Sequence, residues 1–146
     1  MPMNSREKEQ HALTWYARHE NLLIVHPTWE MHPVDGLLIT PLGTPIQLVE
    51  FKWREYGPDN SDGAHLTLHT ASTMTSWAMI LECLPVFLTD VPMGDGRALL
   101  ATVLEPPYPV VEAPRRSQDG RQDDQGTELR FNIPWETFNV LTKYTP

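Results

Sequence analysis

Three residues stand out for the chemistry their types and spacing allow: Asp35, and the pair Glu50 and Lys52 two positions apart. Side chains alternate faces along a strand, so Glu50 and Lys52 point the same way at the end of the apolar run Ile46–Trp53. Ile46 and Leu48 share their face, while Val49, Phe51 and Trp53 take the other. Asp35 opens the preceding strand, and a hairpin in the expected register brings it beside Glu50. Two carboxylates so placed suit Mg²⁺ or Mn²⁺, hard cations held through one or two carboxylates, waters and a substrate phosphate, with the Phe51 backbone carbonyl as a further oxygen. Such a cation lowers the pKa of a bound water and polarises a phosphoryl oxygen. Lys52 would then orient the water or stabilise charge at phosphorus, so that a phosphodiester is hydrolysed without a covalent intermediate. The plainer alternative is an exposed Glu50–Lys52 ion pair closing a strand, worth roughly 0–1 kcal/mol.

The elements that must position these groups are legible in the hydrophobic pattern. Asn4 and Glu7 form a capping box, and a helix follows over about Ser5 to Glu20 with Ala12, Leu13 and Tyr16 on its apolar stripe. Glu9 falls on that stripe. Two readings stay open for it: a further site group, or a first-turn acid that complements the helix dipole. Leu22–Val25 reads as a short strand, His26–Val34 as a loop, Leu37–Thr40 as a buried strand and Pro41–Pro45 as a turn into Ile46–Trp53. The two strands flanking that turn are most simply an antiparallel hairpin.

Beyond the hairpin, residues 54–64 read as a polar loop and about Ala71 to Leu84 as a second helix with Met74, Trp77, Ala78 and Leu81 inward. Strands are expected at Val86–Val91, Ala98–Leu104 and Glu128–Ile133, with a short helix from Pro134-Trp135. Residues 105–127 hold four prolines and then a polar tract, and read as a mobile loop or a functional arm within a single domain over 1–146. The expectation is an α/β sandwich around a mixed central sheet flanked by helices.

The stretch His32-Pro33-Val34-Asp35-Gly36-Leu37-Leu38, taken with Leu48-Val49-Glu50-Phe51-Lys52, resembles the core signature of the PD-(D/E)xK nuclease superfamily. Within it the chain looks most like small Holliday-junction-resolvase-like and VRR-NUC-type nucleases, over roughly residues 5–104. The resemblance implies a restriction-endonuclease-like α-β-β-β-α-β core, with Asp35, Glu50 and a first-helix glutamate, matched by Glu9, at the metal, and Lys52 as the catalytic lysine. It also implies a structured or branched DNA substrate, a role in recombination, repair or phage DNA metabolism, and a homodimer. The chain departs from the pattern at Val34, where the motif's name has proline. It departs again in Ala71–Trp77, which offers Thr73 where many relatives carry Lys or Gln.

Other features fill in or oppose this reading. Trp53, Arg54 and Tyr56 follow the second strand of the hairpin and are candidates to stack on and grip a nucleotide, or to pack at the core rim. His69 and Thr73 are candidates to face phosphate, and Arg115 and Arg116, with Arg121, to clamp it from the long loop. His65 and His69 are four apart, but His65–His69 alternates and lacks a neighbouring glutamate, which disfavours a zinc site. The net charge of −8 opposes nonspecific affinity for nucleic acid. It favours the alternative of a catalytically inactive fold of this kind, used as a protein-interaction module in a phage or mobile-element assembly. The single cysteine, Cys83, permits no internal disulfide and reads as a buried core thiol. With a polar N-terminus and no apolar stretch of membrane length, the expected location is cytoplasmic.

Overall fold

The computed structural model describes residues 2–26, 34–116 and 122–146, with the side chains of 115, 116 and 122–125 left out. It is a mixed α/β structure, with two helices, a six-stranded mixed sheet and a smaller three-stranded antiparallel sheet. The large sheet runs β1 (Leu23–Val25), β2 (Gly36–Ile39), β3 (Pro45–Trp53), β5 (Leu84–Met93), β6 (Gly96–Val103) and β9 (Asn139–Tyr144). The small sheet is β4 (Gly63–Thr67), β8 (Gln122–Pro134) and β7 (Val110–Arg116), in that spatial order. All neighbours are antiparallel except β3 and β5, which are parallel and joined through β4 and helix α2.

The two faces of the large sheet are covered differently. Helix α1 (Ser5–His19) starts where Asn4 accepts a hydrogen bond from the Glu7 N–H at 2.9 Å. Its inward residues Ala12, Leu13, Tyr16 and Ala17 pack on the odd-numbered face of β3, against Val49 and Phe51. Helix α2 (Leu68–Leu81) lies over the even-numbered face, where Ala71, Met74 and Ala78 meet Leu48 and Phe87. The alternation of β3 thus assigns Glu50 and Lys52 to the α2 side.

Several boundaries differ from the sequence reading for identifiable reasons. Helix α2 begins three residues earlier than expected, because Thr67 caps it by accepting from the Thr70 N–H at 3.1 Å. It ends earlier too, where Glu82 takes a left-handed conformation at φ 54° and releases the chain into β5. Cys83 therefore sits between elements, half-buried rather than fully in the core. The expected polar loop over 54–64 gives way at Gly63 to strand β4. The segment before it is held close by Gly57, where a Cβ would strike the Pro92 carbonyl.

The largest correction concerns residues 105–127. In place of one long loop, residues 110–116 form β7 and residues 122 onward form β8, antiparallel to each other, and Arg121 lies outside the described residues. Pairing of β7 with β8, and of the far end of β8 with β4, stabilises polar strands whose own sequence carries little β signal. The strand expected at Glu128–Ile133 is the far half of β8, the short helix after it spans Trp135–Thr137, and β9 was not anticipated.

Candidate functional site

The site is built where β2 stops and β3 continues. The pairing of β2 with β3 ends at Gly36 opposite Val49, and Asp35 lies one residue before it. The Asp35 N–H still donates to the Val49 carbonyl at 3.0 Å, but its side chain takes over the ladder: Oδ2 accepts from the Phe51 N–H at 2.7 Å. Within a strand a residue's N–H and C=O leave on the same edge, so the Phe51 carbonyl points past the end of β2 on Asp35's side. The register expected from the sequence therefore holds, and Asp35, Glu50 and the Phe51 carbonyl share one corner.

Glu50 is 3% exposed, yet its partners are few. Lys52 Nζ stands 3.2 Å from Glu50 Oε1, and the lysine side chain is partly open to solvent. Glu50 Oε2 is buried and meets no donor among the described residues. Asp35 is near enough to share a proton with Glu50, but when both are ionised it only repels. Burial first, and then the Asp35 charge, push the Glu50 carboxyl up to about 8 against the pull of Lys52. The Glu9 carboxyl, reaching the same aspartate from α1, is also pushed up to about 8, by burial and by its hydrogen bond and charge interaction with Asp35. Three carboxylates thus face one ammonium across the end of the sheet.

This donor set fits a hard divalent cation. Oxygen donors are correct for Mg²⁺ or Mn²⁺, and the buried Glu50 Oε2 lacks the donor or cation that burial normally requires. Among the described residues no group of three His, Cys, Asp or Glu side chains is placed so that it could hold a metal ion. Mg²⁺ does not require such a group, since it usually keeps several waters and takes part of its shell from a substrate phosphate.

The remaining predicted residues divide into three groups. Arg54 and Tyr56 line a groove of about 400 Å³ that begins at Lys52. Trp53 does not, since it turns to the α1 face with Lys8 and Arg97 resting over its ring at 4.0 and 3.6 Å. Its indole N–H donates to Glu55 at 2.7 Å. His69 and Thr73 sit in the first turns of α2, Thr73 donating its hydroxyl to the His69 carbonyl at 2.8 Å, and the groove is lined from this segment by Thr67 and Thr70 instead. The backbones of Arg115 and Arg116 lie in β7, and their side chains fall outside the described residues. His65 is on β4 and His69 on α2, so they do not share a helix face as a zinc pair would.

Sequence reasoning missed Arg130. It lies on β8 opposite Thr67 and faces the same groove as Arg54. Its only sequence signal is position 130 in the alternation Glu128-Leu129-Arg130-Phe131, and that pattern names a face without naming what the face covers. No known family model matches the chain, and no curated protein matches it significantly. Among the described residues no helix is long and apolar enough to cross a membrane.

Proposed function

We propose that this chain is a metal-dependent deoxyribonuclease with a restriction-endonuclease-like core, hydrolysing phosphodiester bonds in structured DNA with Mg²⁺ or Mn²⁺, as a homodimer. The observation that carries the reading is the corner itself: Asp35, Glu50 and Glu9 converge beside Lys52, and Glu50 has a buried oxygen with no donor among the described residues. Asp35 and Glu50, with the Phe51 carbonyl, would hold the cation, and Glu9 would support it through Asp35. When bound, the cation supplies Lewis acidity and an activated water.

The protein's own residues do the rest. The Phe51 N–H anchors the Asp35 carboxyl at the corner, at 2.7 Å from Oδ2. Lys52 is ion-paired with Glu50 and stands at the mouth of the groove, where its ammonium meets the charge that develops on phosphate oxygens. Phe51, Val49 and the α1 residues pack the opposite face of β3, which fixes the strand that carries Glu50 and Lys52.

The alternative, an inactive fold kept as an interaction module, draws support from the acidic net charge of −8. One experiment separates the two. Calorimetric titration with Mn²⁺ should show binding that Asp35→Asn abolishes. A panel of single-stranded, duplex, flap and four-way-junction DNA should show metal-dependent cutting that drops by about 10²–10³ in Lys52→Ala, the size expected for removing one charge stabiliser. No metal binding and no cutting of any substrate would end the nuclease reading.

A further inference from the structure

The groove beside Lys52 is positive in an acidic protein. Its walls come from three elements: Lys52 and Arg54 at the end of β3, His65 and Thr67 on β4, and Arg130 on β8. Cross-strand pairing of Thr67 with Arg130 and of His65 with Asn132 turns these side chains to one face of the small sheet. The opposite face, with Ala64, Leu66 and Ile133, is buried in the core. Lys52, Arg54 and Arg130 line the groove with one carboxylate, that of Glu128, and Lys52 is also paired to Glu50 at the adjoining corner.

The guanidinium groups are only partly committed. Arg54 donates from Nη2 to the His65 carbonyl at 2.9 Å, while its buried Nε has no acceptor among the described residues. Arg130 is held by Glu128 through two short hydrogen bonds, 2.6 and 2.9 Å, and reaches the Pro114 carbonyl at 3.2 Å. The His65 imidazole is disfavoured as a cation by its burial and by the charges of Arg130 and Arg54. The hydroxyls of Thr67 and Thr70, 2.9 Å apart at the start of α2, complete the polar lining near the positive end of the helix dipole.

We propose that this groove seats a second phosphate of the bound nucleic-acid strand, next to the one being cut, with Arg130 and Arg54 as its charged contacts and Glu128 as the anion it displaces. This rests on the nuclease reading and deepens it. The small sheet then has a function of its own, since it carries the phosphate grip that the first turns of α2, without Lys or Gln, do not provide. A phosphodiester, with two non-bridging oxygens sharing one negative charge, matches two arginines and a pair of hydroxyls, and the groove is large enough for it with part of its sugar.

The test is the affinity of a fluorescent, partly single-stranded DNA duplex, measured by anisotropy with Ca²⁺ in place of Mg²⁺ across a series of salt concentrations. Arg130→Gln should weaken binding roughly tenfold. Its salt slope should fall by roughly one phosphate contact. In Mg²⁺ the same variant should raise KM while largely sparing kcat, because the phosphate it holds is not the reacting one. Glu128→Gln should move affinity the other way, severalfold tighter, by freeing Arg130. Wild-type binding and cutting with both variants unchanged in affinity and slope would overturn the groove and leave the nuclease standing. Absence of all nucleic-acid binding by the wild type would bring down both. If Arg130→Gln fails to fold, Glu128→Gln decides: unaltered affinity overturns the inference.

Discussion

Two buried charged clusters lie on opposite faces of the large sheet, and they are built to opposite rules. On the α1 side, Asp90 and Arg97 are 5% and 8% exposed, as deeply placed as Glu50 at 3%. Every charged atom there is answered. Arg97 Nε meets Asp90 Oδ1 at 2.7 Å, the Tyr144 hydroxyl donates to Asp90 Oδ2 at 2.6 Å, and Arg97 Nη2 donates to the carbonyls of Asp90 and Arg54 at 3.0 and 2.6 Å. The guanidinium also rests over the Trp53 ring. At the Asp35 corner three carboxylates share one ammonium, and a buried oxygen meets no donor among the described residues. Burial is the same, so satisfaction is the difference. A completed network holds strands together. An incomplete one is costly to the fold, a cost that the proposed cation would offset.

The largest effect expected from this contrast is at the satisfied cluster. Arg97→Ala should lower stability by about 3–5 kcal/mol in urea unfolding, because Asp90 is left buried and unpaired between β5 and β6. A loss under one kilocalorie would break the comparison. The incomplete cluster should respond in the other direction. Glu50→Gln should abolish Mn²⁺ binding, yet leave the metal-free protein as stable or more stable by about 1–2 kcal/mol at pH 8, since an amide has no proton to lose.

The pH dependence sharpens the same point. Glu50 has its carboxyl raised from 4.5 to about 8 in the fold, so between these values the unfolded chain has released a proton that the folded chain retains. Its contribution to metal-free stability is therefore fully present below pH 4.5 and is lost as pH rises through about 8. Thermal melts from pH 4.5 to 9 should show this decline in the wild type and a flatter profile in Glu50→Gln. The smallest effect belongs to Glu9, which shares the direction but is less buried. Glu9→Gln should flatten the profile less than Glu50→Gln and weaken Mn²⁺ binding without abolishing it.

Much of the large sheet was legible because its signals are local. The stripe of Ala12, Leu13 and Tyr16, the apolar strands around Glu50 and the Asn4 cap are each written within a few residues, and each is where the pattern puts it. The small sheet was not legible. Strands β7 and β8 are polar and proline-bearing, and their pairing with each other, together with the pairing of the end of β8 to β4 more than 60 residues away, turns them from loop into strand. The start of α2 was misplaced for a related reason: a Thr67 cap is weaker as a pattern than the apolar run beginning at Ala71.

The sequence alone determined that Glu50 and Lys52 share a face, through strand alternation, and made a short antiparallel hairpin with Asp35 at the head of the neighbouring strand its simplest arrangement, which the pairing of β2 with β3 bears out. Tertiary structure alone decided that Trp53 is turned away among Lys8 and Arg97, that Arg130 comes to face Arg54, and that Glu50 Oε2 is buried without a donor among the described residues. Those outcomes depend on which distant element covers each face, and a one-dimensional pattern reports the face without reporting its cover.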